Sequence, residues 1–285
     1  MCKIIFISNY KSGAGVTNTT INLANQFSKL GKNVLTIDLD SQGTLSEILV
    51  YENTNEKYLK DISDVGTLNY IFELYMLKMS KYTNMKLEFS RSMIRKTGSG
   101  YSYIPTSPFY RNVKGLDTLA SEMKDNIEYL SILKRYIDTI RNEYDYILLD
   151  CPPTMNMITK SAFLMSDFYL IPTVLDMVSI NGVVWYIKNL ENVYKNYCIE
   201  GIDSIFVKHY FKEKSKLIGV FYNKIGGNVD SKNTEESFID ALKNENLEVY
   251  IFPYDINNYE KLGDLQLKND FEEFANLVIK RIEKM

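Results

Sequence analysis

Residues 3–24 read KIIFISNYKSGAGVTNTTINLA, in which an apolar run, a glycine-containing turn and a helical apolar pattern follow one another. Residues 3–8 are rich in β-branched side chains and predict a short buried strand. Residues 17–30 predict a helix, which Gly31 ends in the usual way. A second apolar run at 33–37 predicts another strand, so the segment predicts a βαβ unit with parallel strands.

The alternation of strand and helix patterns continues along the chain. Further strands are predicted at residues 101–104, 145–149, 168–171, 217–222 and 248–252. Helices are predicted at residues 67–81, 116–140, 180–194, 235–244 and 269–284. Residues 44–100 are the least legible part, and the basic run 86–96 predicts a surface loop. We therefore expect one α/β domain over residues 1–285, a doubly wound, mostly parallel sheet with helices on both faces.

Composition narrows the class of protein and the kinds of site. Of 285 residues, 45% are apolar and 24% are charged, which is typical of a globular chain, and the formal net charge is -3. Such a chain does not coat nucleic acid by bulk charge, so any DNA contact requires a local patch. The single histidine, His209, excludes a site with several histidine ligands. Three widely spaced cysteines predict reduced thiols, and no stretch resembles a signal peptide or a membrane span, so we expect a cytoplasmic protein.

The turn between the first strand and the first helix has the features of a phosphate-binding loop. Its glycines allow consecutive backbone N–H groups to face a phosphate at the positive end of a helix dipole. The Thr17 hydroxyl stands where such loops hold magnesium, but Val16 occupies the position of the usual phosphate-binding lysine. Losing that lysine should cost a few kcal/mol of transition-state stabilisation, on the order of 10² or more in rate.

Three ordered blocks resemble the ParA/MinD family of P-loop ATPases. Residues 11–24 (KSGAGVTNTTINLA) resemble its deviant Walker A loop, K-G-G-x-G-K-T-T followed by T-T-I-N-L-A. Residues 37–43 (IDLDSQG) resemble the block I-D-x-D-P-Q-G, and residues 144–154 (YDYILLDCPPT) resemble the Walker B block Y-D-x-I-x-x-D-x-P-P. The likeness continues in family order over nearly the full length, and it implies a P-loop NTPase-like fold.

The resemblance also implies roles for single residues. Lys11 matches the signature lysine that reaches across a nucleotide-sandwich homodimer to the partner's phosphates, and Asp40 matches the aspartate that helps position the attacking water. The implied cofactors are ATP or ADP with magnesium, and Asn223 matches the asparagine that reads the adenine edge. The implied magnesium-site residues are Thr17, Asp38 and Asp150. The implied nucleotide-binding residues are Gly13, Ala14, Gly15, Val16, Thr17, Asn18, Asn223 and Pro253.

Each of these residues also has a purely structural interpretation. Val16 is compatible with a helix start in a protein that binds no nucleotide, and Asn223 with a cap at the end of a strand. Asp38 and Asp40 are compatible with solvated turn carboxylates, although together with Asp150 they should meet at the carboxyl edge of a parallel sheet. Cys151 is better explained as a small buried residue than as a nucleophile, because no base is placed for it.

Two functions therefore remain open at this point. The first is a nucleotide switch in plasmid or chromosome partition or positioning, dimerising around ATP and magnesium with weak or absent hydrolysis. The second is a pseudo-ATPase that keeps the fold as a dimerisation or adaptor scaffold; Val16, Ser12 and Asn18 favour it.

The resemblance implies two further partners, non-specific DNA and a centromere-binding, ParB-like adaptor protein. The candidate DNA-binding residues are Lys208, His209, Lys212, Lys214, Lys216, Lys280, Arg281 and Lys284. Lysines at such spacing also suit a solvated face. The apolar stripe of the last helix, Phe271, Phe274, Val278 and Ile282, could suggest a membrane anchor, but core packing explains it better, so no membrane partner is expected.

Overall fold

The strands of the computed structural model form one sheet in the order β3-β4-β2-β5-β1-β6-β7-β8. The structure describes residues 2–54, 58–84, 86–87, 91–211, 213–224, 231–257 and 265–285. The strands are β1 (Lys3–Ile7), β2 (Val34–Asp38), β3 (Arg95–Lys96), β4 (Ser102–Ile104), β5 (Tyr146–Asp150), β6 (Phe168–Thr173), β7 (Lys216–Lys224) and β8 (Ile251–Asn257). Neighbouring strands run parallel except for the antiparallel pair β3–β4, which confirms the predicted mostly parallel sheet.

Helices cover both faces of this sheet, as predicted for a doubly wound fold. The helices are α1 (Val16–Lys29), α2 (Thr44–Asn53), α3 (Leu68–Ser80), α4 (Leu116–Glu122), α5 (Ile127–Leu130), α6 (Ile132–Asp138), α7 (Met157–Met165), α8 (Met177–Lys195), α9 (Ser204–Phe211), α10 (Ser231–Asn244) and α11 (Leu265–Lys284). Helices α1, α2 and α11 pack on one face, and side chains of α3 to α10 contribute to the core on the other. Strand β1 shows the alternation directly, because Ile4 and Phe6 belong to one core and Ile5 and Ile7 to the other.

The first βαβ unit differs from a simple adjacent pair. Strands β1 and β2 are parallel, but β5 lies between them and pairs with both. Asp150, the last residue of β5, is therefore in register with Ile7 on one side and with Asp38 on the other. The carboxyl ends of these three strands form one edge, and the candidate site is built there.

Two predictions about local structure are wrong. The single helix expected at 116–140 is broken into α4, α5 and α6, because Met123 is extended and Asn126 begins a new helix by accepting a hydrogen bond from the Tyr129 amide. The basic run expected as a surface loop contains strand β3, which pairs with β4 at the sheet edge. Residues 85 and 88–90 of that region lie outside the described part of the chain.

The apolar stripe of α11 lies in the core, as expected. Phe271, Phe274 and Val278 are fully buried, and the Phe274 ring centroid is 4.3 Å from that of Phe221 on β7. Among the described residues, no helix combines the length and the apolar character that a membrane crossing requires.

Candidate functional site

A cavity of about 640 Å³ opens at the carboxyl edge of the sheet, where β1, β2 and β5 end. Its walls come from the loop between β1 and α1, the loop after β2, the start of α4 and the loop after β5. The lining residues are Asn9, Lys11, Ser12, Gly13, Gly15, Val16, Thr17, Asn18, Asp40, Ser41, Gln42, Thr44, Ile48, Asp117, Asp150, Cys151, Pro152, Pro153 and Thr154. Open α/β sheets bind ligands at such an edge.

The loop between β1 and α1 depends on two glycines in the left-handed region. Gly13 has φ +81° and Gly15 has φ +82°, a conformation that other residues adopt only with strain. A Cβ on Gly15 would also lie 2.4 Å from the Asn223 side-chain nitrogen. Gly15 precedes α1 and no side chain caps this end of the helix. The positive end of the α1 dipole is therefore placed at the cavity, which favours an anion there.

Two hydroxyls hold the carboxylate at the end of β5. Thr17 Oγ1 donates to Asp150 Oδ2 over 2.9 Å, and Thr20 Oγ1 donates to Asp150 Oδ1 over 3.1 Å. Burial raises the pKa of Asp150 well above its ordinary value and the nearby Asp38 raises it further, although these two hydrogen bonds oppose the shift. Burial thus disfavours the charged form of Asp150, and a cation bound beside it would favour that form.

Asp38 lies behind the cavity and does not line it. Its Oδ2 accepts hydrogen bonds from the Ser46 amide (2.8 Å) and hydroxyl (2.6 Å), and its Oδ1 accepts one from the Asp40 amide (3.0 Å). Burial raises the pKa of Asp38 to about 7. These contacts fix the loop that carries Asp40, so the geometry favours a positioning role for Asp38, and its metal role stays a prediction.

Asp40 and Asp117 add two carboxylates to the cavity wall. Asp40 Oδ1 accepts a hydrogen bond from the Gln42 amide, and burial, with Asp117 nearby, raises the pKa of Asp40. Asp117 accepts hydrogen bonds from the Ser41 hydroxyl and, over 3.1 Å, from the Asn156 side chain. It therefore ties together the loops after β2 and β5. Sequence reasoning missed Asp117, because an acidic residue in the first turn of a helix is ordinary capping chemistry.

Lys11 has a partner within its own chain. Its Nζ lies 3.2 Å from Asp176 Oδ2 and donates to Ser179 Oγ over 3.1 Å, at the start of α8. Asp176 also caps α8 by accepting a hydrogen bond from the Ser179 amide. Burial tends to raise the pKa of Asp176. The hydrogen bonds from Ser179 and Lys11 outweigh burial and lower this pKa below its ordinary value.

Three of the predicted nucleotide-binding residues, Ala14, Asn223 and Pro253, lie outside the cavity lining. Asn223 is fully buried and its side-chain nitrogen donates to the Ala14 carbonyl over 2.6 Å, so it braces the glycine loop. Pro253 is exposed on β8. Cys151 lines the cavity, but burial raises its thiol pKa well above the ordinary value, as expected for an unreactive residue. Cys2, Cys151 and Cys198 are free and buried.

Some residues of this site are suited to bind magnesium. The site is not suited to a phosphate held by a lysine at position 16, because that residue is valine. Thr17 and Asp150 supply the oxygen ligands that magnesium prefers, with phosphate and water needed to complete its shell. Among the described residues there is no group of three or more His, Cys, Asp or Glu suited to a metal. Val16 and Ile48 give the cavity an apolar wall in which position 16 offers no charged donor.

The predicted basic residues serve several different contacts. Lys214 pairs with Glu191, and Arg281 lies 3.8 Å from the Tyr250 ring while donating to the Ile218 carbonyl. Lys216 Nζ donates to the Met285 backbone oxygen. The exposed members are Lys208, His209, Lys214, Lys216, Lys280 and Lys284. Lys212 lies outside the described residues.

The chain is similar to a known sequence family and to individual known proteins. The sequence model described as "AAA domain" matches residues 2–201. The sporulation initiation inhibitor protein Soj of Bacillus subtilis is 28% identical over 199 residues, which cover 69% of this chain and 68% of Soj. The match to an uncharacterized protein of Pseudomonas putida covers 68% of this chain and 64% of that protein, at 27% identity. The matched segments therefore span about two thirds of the length of each of these two relatives.

Solved structures share the fold over almost the whole chain. Cobyrinic acid a,c-diamide synthase from Mycobacterium smegmatis, with a bound ATP analogue and magnesium, has a TM-score of 0.70 at 16% identity and covers 99% of this chain and 96% of its own. A putative plasmid partition protein from Borrelia burgdorferi, bound to AMPPNP, has a TM-score of 0.65 at 21% identity and covers 99% and 98%. At these identities the likeness shows the fold alone.

Proposed function

Because this chain belongs to the AAA-domain family, whose sequence model covers residues 2–201, we propose that it is a ParA-like nucleotide switch. It acts in plasmid or chromosome partition or positioning, in the cytoplasm. It forms a homodimer around ATP and magnesium, and it hydrolyses ATP slowly or not at all.

One observation carries this proposal: the Thr17–Asp150 contact at the glycine loop, with Val16 beside it. The hydroxyl and the carboxylate are arranged to hold magnesium, and the start of α1 favours phosphate. Magnesium bound with the nucleotide would supply positive charge at the phosphates. Without a lysine at position 16, the chain that binds the nucleotide offers no lysine of its own where charge develops during phosphoryl transfer, and Lys11 of the partner subunit would be the remaining cation there.

Asp40 and Lys11 complete the proposed machinery. Asp40 lines the cavity on the loop that Asp38 holds, from which its Oδ2 can orient an attacking water. Lys11 leaves Asp176 on dimerisation and reaches the phosphates bound by the partner. The hydrogen bond between Asn223 and Ala14 keeps the glycine loop in shape, and contact with adenine would require Asn223 to exchange that partner.

Calorimetry with ATP and ADP, in parallel with an ATP turnover assay, tests the proposal on wild type, Val16→Lys and the apolar control Val16→Leu. We expect magnesium-dependent binding in all three, with turnover in Val16→Lys on the order of 10² above the other two. Wild-type turnover equal to that of Val16→Lys would contradict the loss of catalysis.

The second candidate function is a scaffold that binds no nucleotide. It is favoured by the apolar pair Val16 and Ile48 in the cavity wall and by the Lys11–Asp176 ion pair within the chain. Binding of nucleotide by Val16→Lys alone would support the scaffold. The same experiment thus separates the two functions.

Non-specific DNA and a ParB-like adaptor are the proposed partners of the switch. The exposed lysines near the end of α11, Lys216 and Lys284, are the candidates for DNA contact. Lys216→Glu and Lys284→Glu should each weaken salt-sensitive retention on DNA, while Lys60→Glu, at an exposed site elsewhere, should not. Unchanged retention in both variants would exclude this patch.

A further inference from the structure

Tyr10 stands between two residues of the cavity wall, but its own side chain packs elsewhere. Asn9 and Lys11 line the cavity, whereas Tyr10 does not. The Tyr10 hydroxyl donates to the Val178 carbonyl over 2.7 Å, in the first turn of α8. The glycine loop is therefore attached to α8 by a side chain that the proposed function leaves unused.

The Tyr10 ring lies directly on Gly182, in the second turn of α8. A Cβ at position 182 would lie 1.8 Å from Tyr10 Cζ, 1.9 Å from its Cε1 and 2.3 Å from its hydroxyl oxygen. The ring thus occupies the space that any other residue at this position would need. Glycine is unfavourable inside a helix, and its presence here is explained by the ring that it accommodates.

The neighbouring Lys11 contacts the same end of α8. Its Nζ lies 3.2 Å from Asp176 Oδ2, which caps the helix, and 3.1 Å from Ser179 Oγ. Consecutive residues of the loop therefore hold the first two turns of α8, Tyr10 through its ring and hydroxyl and Lys11 through its ammonium group.

The charges beside the phenol connect it to this ion pair. Burial raises the pKa of Tyr10 above its ordinary value, while Lys11 opposes the shift and Asp176 adds to it. The hydroxyl therefore keeps its proton at neutral pH and remains a donor to the Val178 carbonyl.

The backbone of Lys11 is also held from the other side of Tyr10. Asn9 is buried, its side-chain nitrogen donates to the Pro172 carbonyl of β6 over 2.6 Å, and its Oδ1 accepts from the Lys11 amide over 3.1 Å. With Asn9 anchored on β6 and Tyr10 anchored on α8, the residue that follows them is kept beside the start of α8.

We propose that Tyr10 is a positioning residue for Lys11, and that the seat of its ring on Gly182 favours the pairing of Lys11 with Asp176 of the same chain. The consequence rests on the proposed function: a switch that needs Lys11 at the phosphates of a second chain must first give up this internal pair. The Tyr10 contact would then regulate closure of the dimer.

The size of the effect is limited by the ion pair that is released. Pairs in water-accessible positions shift an equilibrium by up to about 5-fold. Because both chains of a dimer must release Lys11, dimerisation should respond by up to about 25-fold.

Trace acylation of the full chain with acetic anhydride, without nucleotide and measured by peptide mass spectrometry, tests how available the Lys11 ammonium group is. Asp176→Asn keeps a capping side chain and removes the charge of the partner, so Lys11 should react up to about 5-fold faster than in wild type. Gly182→Ala should push the ring off α8 and raise the Lys11 rate towards that limit, and so should Tyr10→Ala. Exposed Lys124 is the internal reference and should react equally in every variant.

Combining the two substitutions shows whether they act through the same contact. In Tyr10→Ala there is no ring for a Cβ at position 182 to displace, so adding Gly182→Ala should raise the Lys11 rate no further. Tyr51→Ala, at an exposed tyrosine on α2, is the matched control and should react like wild type. Alanine is a better helix former than glycine, so circular dichroism should show that Gly182→Ala remains folded.

Sedimentation velocity with ATP and magnesium then measures the consequence for the dimer. Gly182→Ala and Tyr10→Ala should lower the dissociation constant of the dimer by up to about 25-fold. A Lys11 acylation rate that stays at the wild-type value in both variants would overturn the inference, whatever Asp176→Asn does. Raised rates without tighter dimers would overturn the regulation of closure. Dimers absent from every variant would instead overturn the proposed switch, and the acylation rates would still decide the role of Tyr10.

Discussion

Replacing Gly15 with alanine should destabilise the protein far more than the same change at Gly13. Both glycines have φ near +80°, so each substitution carries a left-handed backbone cost of about 1–2 kcal/mol. At Gly13 nothing lies within 4 Å of the new Cβ, whereas at Gly15 the Cβ would lie 2.4 Å from the Asn223 side-chain nitrogen. Asn223 must then move and give up its buried bond to the Ala14 carbonyl, which costs about 1–3 kcal/mol more.

A double-mutant cycle isolates that second cost. In an Asn223→Ala background the atom left near the new Cβ is Asn223's own Cβ position, 3.8 Å away, which is ordinary contact. Gly15→Ala should therefore cost about 2–5 kcal/mol in wild type and only about 1–2 kcal/mol in Asn223→Ala. Urea unfolding followed by circular dichroism gives all four free energies.

Equal costs at Gly13 and Gly15 would refute this reasoning. So would additive effects of Gly15→Ala and Asn223→Ala, since additivity would mean that the two side chains do not compete for space. In either case Asn223 would not brace the glycine loop.

Three further predictions follow from burial and charge. Lowering the pH from 7 to 5 should raise the free energy of unfolding, because Asp38 is protonated near pH 7 in the native chain but only near 3.8 in the unfolded chain. The slope per carboxyl is at most about 1.4 kcal/mol per pH unit. Urea unfolding at each pH measures this slope, and Asp38→Asn should flatten it. EDTA should weaken nucleotide binding by more than about 10-fold in calorimetry, because the cavity lining combines three carboxylates with Lys11 as its one cationic side chain among the described residues, and unchanged affinity would argue against a magnesium site. Phe274→Ala should cost about 3–5 kcal/mol, because its ring is fully buried 4.3 Å from Phe221, whereas Phe109→Ala, at an exposed site, should cost under about 1 kcal/mol.

The sheet and the glycine loop could be predicted because their signals are local. Buried parallel strands are short, nearly continuous apolar runs, and β1, β2 and β5 all have that form. The polar residues that follow such strands meet at one edge, which is why the sequence alone predicts that Asp38, Asp40 and Asp150 lie close together.

Two helical regions could not be predicted because apolar periodicity is a weak guide there. Every residue of α7 except Lys160 is buried, so the helix has no polar face to reveal its period. Between α4 and α6 the apolar spacing is continuous, but the Asn126 cap and the extended Met123 interrupt the backbone hydrogen bonds. The Asn126 cap starts a new helix at a place where the apolar spacing is continuous, and apolar spacing alone does not reveal a cap.

Long-range polar contacts were equally hidden from the sequence. Asp117 lies in α4, whereas its hydrogen-bond partners Ser41 and Asn156 lie in the loops after β2 and β5. The contact therefore depends on the tertiary fold. The resemblance implies a magnesium-site role for Asp38, and it gave no sign that both of its oxygens accept hydrogen bonds, two of them from Ser46. Sequence spacing identifies which residues reach the edge of the sheet, but not how their hydrogen bonds are shared there.

Two features of this site differ from what the family resemblance implies, namely the Lys11–Asp176 ion pair and Val16. Their expected effects on nucleotide chemistry are unequal. The side chains of Lys11 and Asp176 are 41% and 31% exposed, and ion pairs in water-accessible positions contribute about 0–1 kcal/mol, so releasing Lys11 to a partner's phosphates costs little. In the proposed switch, the lysine missing at position 16 would have contributed a few kcal/mol of transition-state stabilisation that no other side chain of the same chain's loop replaces. The proposal therefore leaves Lys11 free to reach the partner, and it makes Val16 the residue on which nucleotide turnover depends.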